Sequence, residues 1–285
     1  MTAAITFALL SLFFAGCLDV SFKRYSRKAR SRGIYLAICG VTWTALQITY
    51  FCSQNVALIF DFVTLIYGLA AGIILALANL LLIESLTALN LSMGSTIYRL
   101  NTVAVVFLSL IILAEPVSAL KSLGVIMAIA AVWMLHERAD YQTLQSGLGV
   151  FIWIAIIASA LRGIFAIIAK LGMAAGAHSD TALLIYAISW IPAGLIYAIW
   201  REDNIRVTTP KIAYGVISGT LLCMTANFII FAIARGDVST VVPIANLSFV
   251  VALCLSAAFG MELFTRRKAG ALVSATAAIY LLAQG

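Results

Sequence analysis

A few residues in this sequence could do chemistry within an otherwise apolar chain. Arg99 stands near the start of the run "IYRLNTVAVVFLSLIILAEP", and Asp19 and Arg162 sit in two other apolar runs. A charge placed there must face water, a partner or a bound ion, because facing hydrocarbon costs at least about 2.5–3.5 kcal/mol. Ser92, Ser95, Thr96, Arg99, Thr102 and Ser109 recur at helical spacing and form a polar stripe on one face. On that stripe Arg99 could hold a carboxylate through charge-assisted hydrogen bonds. The alternative is snorkelling of its long stem to the headgroups.

Asp19 has two candidate partners, Arg162 or, one turn along, Lys23. It is also the in-span carboxylate best suited to proton coupling. Folding the chain back near residues 88–89 brings Asn79 to the depth of Tyr98 and Arg99, and a similar fold brings Asn227 near Asn246. These amides could make a polar belt for a solute, or simply bond helix to helix. Asn101 falls off the stripe. Trp43 and Trp190 lie mid-span, as an aromatic wall or as bulky packing, with Gln47 one turn from Trp43. Glu84, at a helix end, is expected to be solvated. Glu115 and Glu262 are expected to cap or pair at turns, and Pro243 to bend its helix.

The elements that must position these groups follow from composition. Of 285 residues, 64% are hydrophobic and 10% charged, whereas soluble domains carry roughly 25% charged residues. The chain belongs in lipid. Ten apolar windows approach the length of about 20 residues needed to cross a bilayer: 4–22, 34–51, 62–83, 93–113, 118–135, 148–170, 181–200, 212–233, 239–259 and 269–284. With the N-terminus outside, thirteen Lys and Arg fall on the inner side and three on the outer. That asymmetry predicts non-cytoplasmic termini, and it assigns the net charge of +7 to lipid headgroups rather than to nucleic acid. The five cysteines show no CxxC spacing and are expected to be small buried hydrophobes.

A shift of 147 positions matches the chain to itself. Gly16 falls on Gly163, Trp43 on Trp190, Tyr50 on Tyr197, Gly68 and Gly72 on Gly215 and Gly219, Glu115 on Glu262, and Lys121 on Lys268. Five spans per unit is odd, so the second unit enters the membrane from the opposite side. The expected fold is all-α integral membrane: ten transmembrane helices as two inverted five-helix repeats, residues 1–138 and 147–285. Such repeats are characteristic of secondary transporters. "GLAAG" and "GVISG" carry the small-residue spacing that lets helices approach closely in lipid.

The stretches "NLSMGSTIYRLNTVAVVFLSLIILAEPVSALKSLGVIMAIAAVWML" and "DVSTVVPIANLSFVVALCLSAAFGMELFTRRKAGALVSATAAIYLL" each resemble the end of an EamA domain. The whole chain resembles the ten-helix members of the drug/metabolite transporter superfamily. The resemblance implies a central cavity lined by spans 1 to 4 and 6 to 9, peripheral spans 5 and 10, and residence in the bacterial inner membrane.

The function expected is therefore secondary transport by alternating access: export of a small organic metabolite such as an amino acid or organic anion. A channel-like or regulatory membrane protein is the alternative, and a homodimer is left open. The candidate cavity residues are Arg99, Tyr98, Asn79, Asn227, Asn246, Trp43, Gln47, Trp190 and Arg162, with Asp19 for coupling. No cofactor or metal is expected, and an enzyme is not. His136 and His178 lie in loops, and no GxSxG, HExxH or GxxxxGK[ST] motif occurs.

Overall fold

The computed structural model describes residues 2–26, 31–85, 97–98, 101–116, 118–134, 148–202, 206–258 and 265–284. Among them there is no strand. The helices are α1 (Thr2–Ser26), α2 (Arg32–Ser53), α3 (Phe62–Ser85), α4 (Asn101–Ile112), α5 (Ala119–Met134), α6 (Leu148–Ala174), α7 (Ser179–Tyr197), α8 (Thr209–Arg235), α9 (Val238–Asn246), α10 (Phe249–Ala258) and α11 (Arg266–Gln284). A π-helical turn, Ala198–Glu202, ends α7. Among the described residues, seven segments are long and apolar enough to cross a membrane, α9 and α10 counting together as one, while α4 and α5 are shorter apolar helices. The protein is all-α and of multi-pass membrane type.

Apolar runs become helices because a backbone in lipid can satisfy its polar groups only within the segment or against a neighbour. Local polar residues set the ends. Ser31 Oγ accepts from Ile34 N at the start of α2, and Asp61 Oδ1 accepts from Thr64 N at the start of α3. A hydrogen bond from the Thr64 side chain, helped by that backbone bond, holds the Asp61 carboxyl below the usual carboxylate range. Helix α2 stops at Asn55 (φ 52°), where Asn55 N donates to Cys52 O and Val56 N to Phe51 O. The same closure ends α6 at Gly176 (φ 95°). Both are left-handed terminations, which only glycine and, less readily, asparagine adopt cheaply.

Packing repeats at the offset that aligns the sequence. A β-carbon at Gly68 would lie 2.8 Å from Ile185 Cδ1, and one at Gly215 would lie 2.5 Å from Ile38 Cγ2. One at Gly72 would meet Ser189 Oγ at 2.6 Å, and one at Gly219 would meet Thr42 Cβ at 2.7 Å. Gly16 abuts Val251 as Gly163 abuts Ala104. Ser118 caps α5 through Lys121 N, and Thr265 caps α11 through Lys268 N. In each pair the corresponding residues are 147 positions apart. The helix partners follow suit: α1 packs on α8 and α3 on α6, α2 on α8 and α3 on α7, while α2 pairs with α7 and α5 with α11.

Several polar expectations are corrected here. Glu84 is not solvated: its side chain is 14% exposed, accepts from Arg32 Nη1 at 2.9 Å and from the Tyr197 hydroxyl, and stands 3.8 Å from Arg201. Glu202 accepts from Arg32 N and Gly33 N, covering the start of α2 from the end of α7. Glu115 does cap: it accepts from the backbone N–H groups of Val238 and Ser239 at 2.7 and 2.9 Å. Lys121, buried, pairs with Asp237 rather than with Glu115. Glu262 and the side chain of Lys23 lie outside the described residues. Of the cysteines only Cys39 and Cys223 are buried; Cys17 is half-buried, and Cys52 and Cys254 are exposed. Trp133, Trp153 and Trp200, exposed near the ends of α5, α6 and α7, suit an interfacial belt.

Candidate functional site

Among the described residues, three clusters of interior polar side chains carry the candidate groups, each joining segments distant in sequence. The first links α2 and α8. Gln47, fully buried, and Asn227 exchange two carboxamide bonds, Gln47 Nε2 to Asn227 Oδ1 at 3.0 Å and Asn227 Nδ2 to Gln47 Oε1 at 2.8 Å. Gln47 Oε1 also accepts from Trp43 Nε1 at 3.2 Å. Trp43 meets Trp190 edge to face, 5.9 Å between centroids, and both rings are fully buried. The tryptophans are therefore core here, not a wall facing a solute. The repeat is broken at this point: Gly194 stands where a second glutamine would be, and Trp190 Nε1 has no hydrogen-bond partner.

That first cluster yields a stability prediction. Removing one carboxamide leaves the other buried with donors unmet, at a cost of about 1–3 kcal/mol. Asn227→Leu and Gln47→Leu should each lower the melting temperature, and the double variant should lose less than the two single losses together. The expected coupling is about 1 kcal/mol. Strictly additive losses in detergent-phase thermal unfolding would reject the reciprocal pairing.

The second cluster joins α4 to α9. Asn246 Nδ2 donates to Asn101 Oδ1 at 2.6 Å and to Thr102 Oγ1 at 3.0 Å. Asn101 and Thr102 are both buried, so Asn101, placed off the stripe by spacing alone, belongs to the interior after all. Asn101 Nδ2 has no partner. Directly after Asn246 the apolar run 239–259 breaks: Leu247 and Ser248 form a turn between α9 and α10. The break comes beyond Pro243, whose missing N–H weakens the helix there. Helix α1 closes on it, since a β-carbon at Gly16 would lie 2.6 Å from Ser248 O, and Ser248 Oγ donates to Asp19 at 3.4 Å.

The third cluster joins α6 to Tyr98. Arg162 Nη1 donates to the Tyr98 hydroxyl at 2.8 Å, and its guanidinium carbon lies 5.2 Å from the Tyr98 ring centroid. Ser159 Oγ donates to Tyr98 O at 3.3 Å. Arg162 is thus held by an aromatic ring and not by Asp19. Asn79 is buried, and its Nδ2 bonds Leu75 O of its own helix. Arg99, Ser92, Ser95 and Thr96 lie outside the described residues.

Sequence reasoning missed a hydroxyl and tyrosine layer below these clusters. Tyr25 stacks on Tyr35 at 3.9 Å, Tyr35 Oη donates to Ser218 Oγ at 2.6 Å, and Ser218 Oγ is 2.7 Å from Ser21 Oγ. Recurrence of Phe14, Leu18, Phe22 and Tyr25 at steps of four, four and three, on one helical face, was the available signal. The layer joins α1, α2 and α8 toward the end where α2 begins, with Tyr25, Tyr35, Ser21 and Ser218 all buried. Chemically, amides, one guanidinium and hydroxyls can bind and orient a solute. Among the described residues no three His, Cys, Asp or Glu gather as metal ligands.

The sequence matches no protein-family model, and no curated protein matches it. The fold has counterparts: 29 chains of solved structures match. One, a crystal structure described only as that of a protein, superposes with a TM-score of 0.84 at 12% identity, over 99% of this chain and 96% of its own. At that identity the likeness is one of fold.

Proposed function

We propose that the chain is a secondary transporter, exporting a small organic metabolite by alternating access of two inverted five-helix units, without ATP. The observation that carries this reading is the set of glycine contacts and helix caps that recur at an offset of 147 between the halves. Two copies of one unit, meeting through exchanged pairs of helices, can swap conformations and so open an interior site to either side in turn. The clusters support the same reading, because each lies where the two units meet: α2 with α8, α4 with α9, and Tyr98 with α6. The resemblance to EamA-type transporters points the same way.

The test is reconstitution in proteoliposomes with counterflow of radiolabelled amino acids and organic acids. Saturable exchange of at least one solute is expected, with no ion conductance. A non-saturable leak, or silence across the panel, would overturn transport in favour of a channel-like or regulatory role. Inversion is checked separately by single cysteines at Lys28 and Ala175, positions 147 apart, in a cysteine-free background. Impermeant maleimide should reach them from opposite faces of the membrane.

A further inference from the structure

We propose that the interior face around Tyr98, Asn101 and Arg162 is a carboxylate-binding site, with Arg162 the charge partner of the anion and Asn101 Nδ2 a second donor. The route to this site rests on the transporter reading above; the binding chemistry does not.

Arg162 lies midway along α6, about 20 Å from the helix start at 1.5 Å per residue. Its stem cannot reach either headgroup layer from there. It shares a helical face with the buried residues Ala155, Ser159, Ala166 and Ala169, while Trp153, Ile156 and Ile157 on the opposite face are exposed. The guanidinium therefore points into the protein. What it meets there is neutral: the Tyr98 hydroxyl and ring. A guanidinium presents a fork of N–H donors, and one of them is engaged. Among the described residues no carboxylate pairs with it.

Asn101 supplies the independent observation. Its side chain is 1% exposed, its oxygen accepts from Asn246, and its Nδ2 has no partner. It stands three positions from Tyr98, a helical turn's spacing. Helix α6 crosses at this height, since a β-carbon at Gly163 would lie 3.3 Å from Ala104 Cβ. The neighbourhood thus holds a positive charge and a buried amide, both short of acceptors. A cation or a hydrocarbon would satisfy neither. A carboxylate satisfies both: two coplanar oxygens match the guanidinium fork, and their further lone pairs accept from the amide. A single arginine suits a single negative charge better than a phosphate dianion.

The experiment is thermal unfolding of the purified full chain in detergent with succinate, benzoate or leucine, each against its amide (succinamide, benzamide, leucinamide), and with inorganic phosphate. At least one carboxylate should raise the melting temperature by several degrees while its amide does not. Arg162→Gln should abolish that shift, Arg162→Lys should keep part of it, and Asn101→Ala should weaken the apparent affinity about tenfold. Ligand-free Arg162→Gln should elute as a single species and melt no lower than wild type, because the charge it removes has no anion to lose. The proposal is overturned if no carboxylate shifts the melt, if amides or phosphate serve better, or if Arg162→Gln keeps the shift. A fall in the ligand-free melting temperature that Arg162→Lys restores would mark a structural arginine and overturn it too. Carboxylate binding without counterflow would sink the transporter reading and leave this site standing. Counterflow indifferent to Arg162→Gln would do the reverse.

Discussion

Gly194→Leu is expected to yield no folded protein. Helices α2 and α7 cross with backbone against backbone: a β-carbon at Gly194 would lie 2.5 Å from Ala37 N and 2.6 Å from Gly33 O. The relation is mutual, since one at Gly33 would lie 2.5 Å from Ala198 N and 2.6 Å from Gly194 O. A side chain at such a crossing has no rotamer to choose and no flexible neighbour to displace, so the helices must separate. Separation would part Trp43 from Trp190 and draw Glu202 off the start of α2. In lipid the loss is not offset by any general hydrophobic drive between helices, because association there depends on close fit. The cost should exceed about 3 kcal/mol, the upper end for ordinary overpacking. Gly149→Leu is the control: nothing lies within 4 Å of that position, and the change should stay within about 0.5 kcal/mol. Size-exclusion profiles and melting curves of the two variants decide the matter. A monodisperse Gly194→Leu protein melting within a degree or two of wild type would mean that α2 and α7 do not meet as described.

Glu84→Ala should produce the next largest loss, about 2–3 kcal/mol. The carboxylate ties the end of α3 to the start of α2 through Arg32 and to the end of α7 through Tyr197, with its side chain 14% exposed. Truncation strands an arginine and a phenol that are both partly buried, and leaving such groups unmet costs more than forming their bonds gains. Arg201, 70% exposed, adds little. Two comparisons isolate the cause. Glu84→Gln keeps an acceptor for Tyr197 and should lose less than the alanine variant. Tyr197→Phe combined with Glu84→Ala should cost less than the two changes summed. Additive losses measured by thermal or denaturant unfolding would show that Glu84 and Tyr197 act separately.

The residues that made these predictions possible were unequally legible. The GxxxG segments and their offset of 147 stood in the sequence, and the structure supplied the partners: Ile185 and Ser189 for one, Ile38 and Thr42 for the other. Glu115 was readable as a cap because it sits at a turn, but the helix it caps starts at Val238, far along the chain. Glu84 was misjudged for the same reason. A helix end looks solvated until another helix end is brought against it. The cysteines at 52 and 254 show the limit of residue type as a guide to burial in lipid, where an apolar side chain is equally at ease facing outward.

By itself the sequence determined that the chain is built of apolar helices, because a long apolar segment in a bilayer has no other way to satisfy its backbone. Its scarce residue types also recur at one spacing of 147, and it placed Arg162 within an apolar run. Only the tertiary structure decided which amide faces which, why Trp43 has a hydrogen-bond acceptor and Trp190 none, and that Arg162 meets a tyrosine instead of Asp19. Hydropathy records the preference of a residue for lipid over water and is blind to direction around the helix axis. The choice of neighbour rests on contacts a few ångströms wide between small residues, and those exist only once the helices have met.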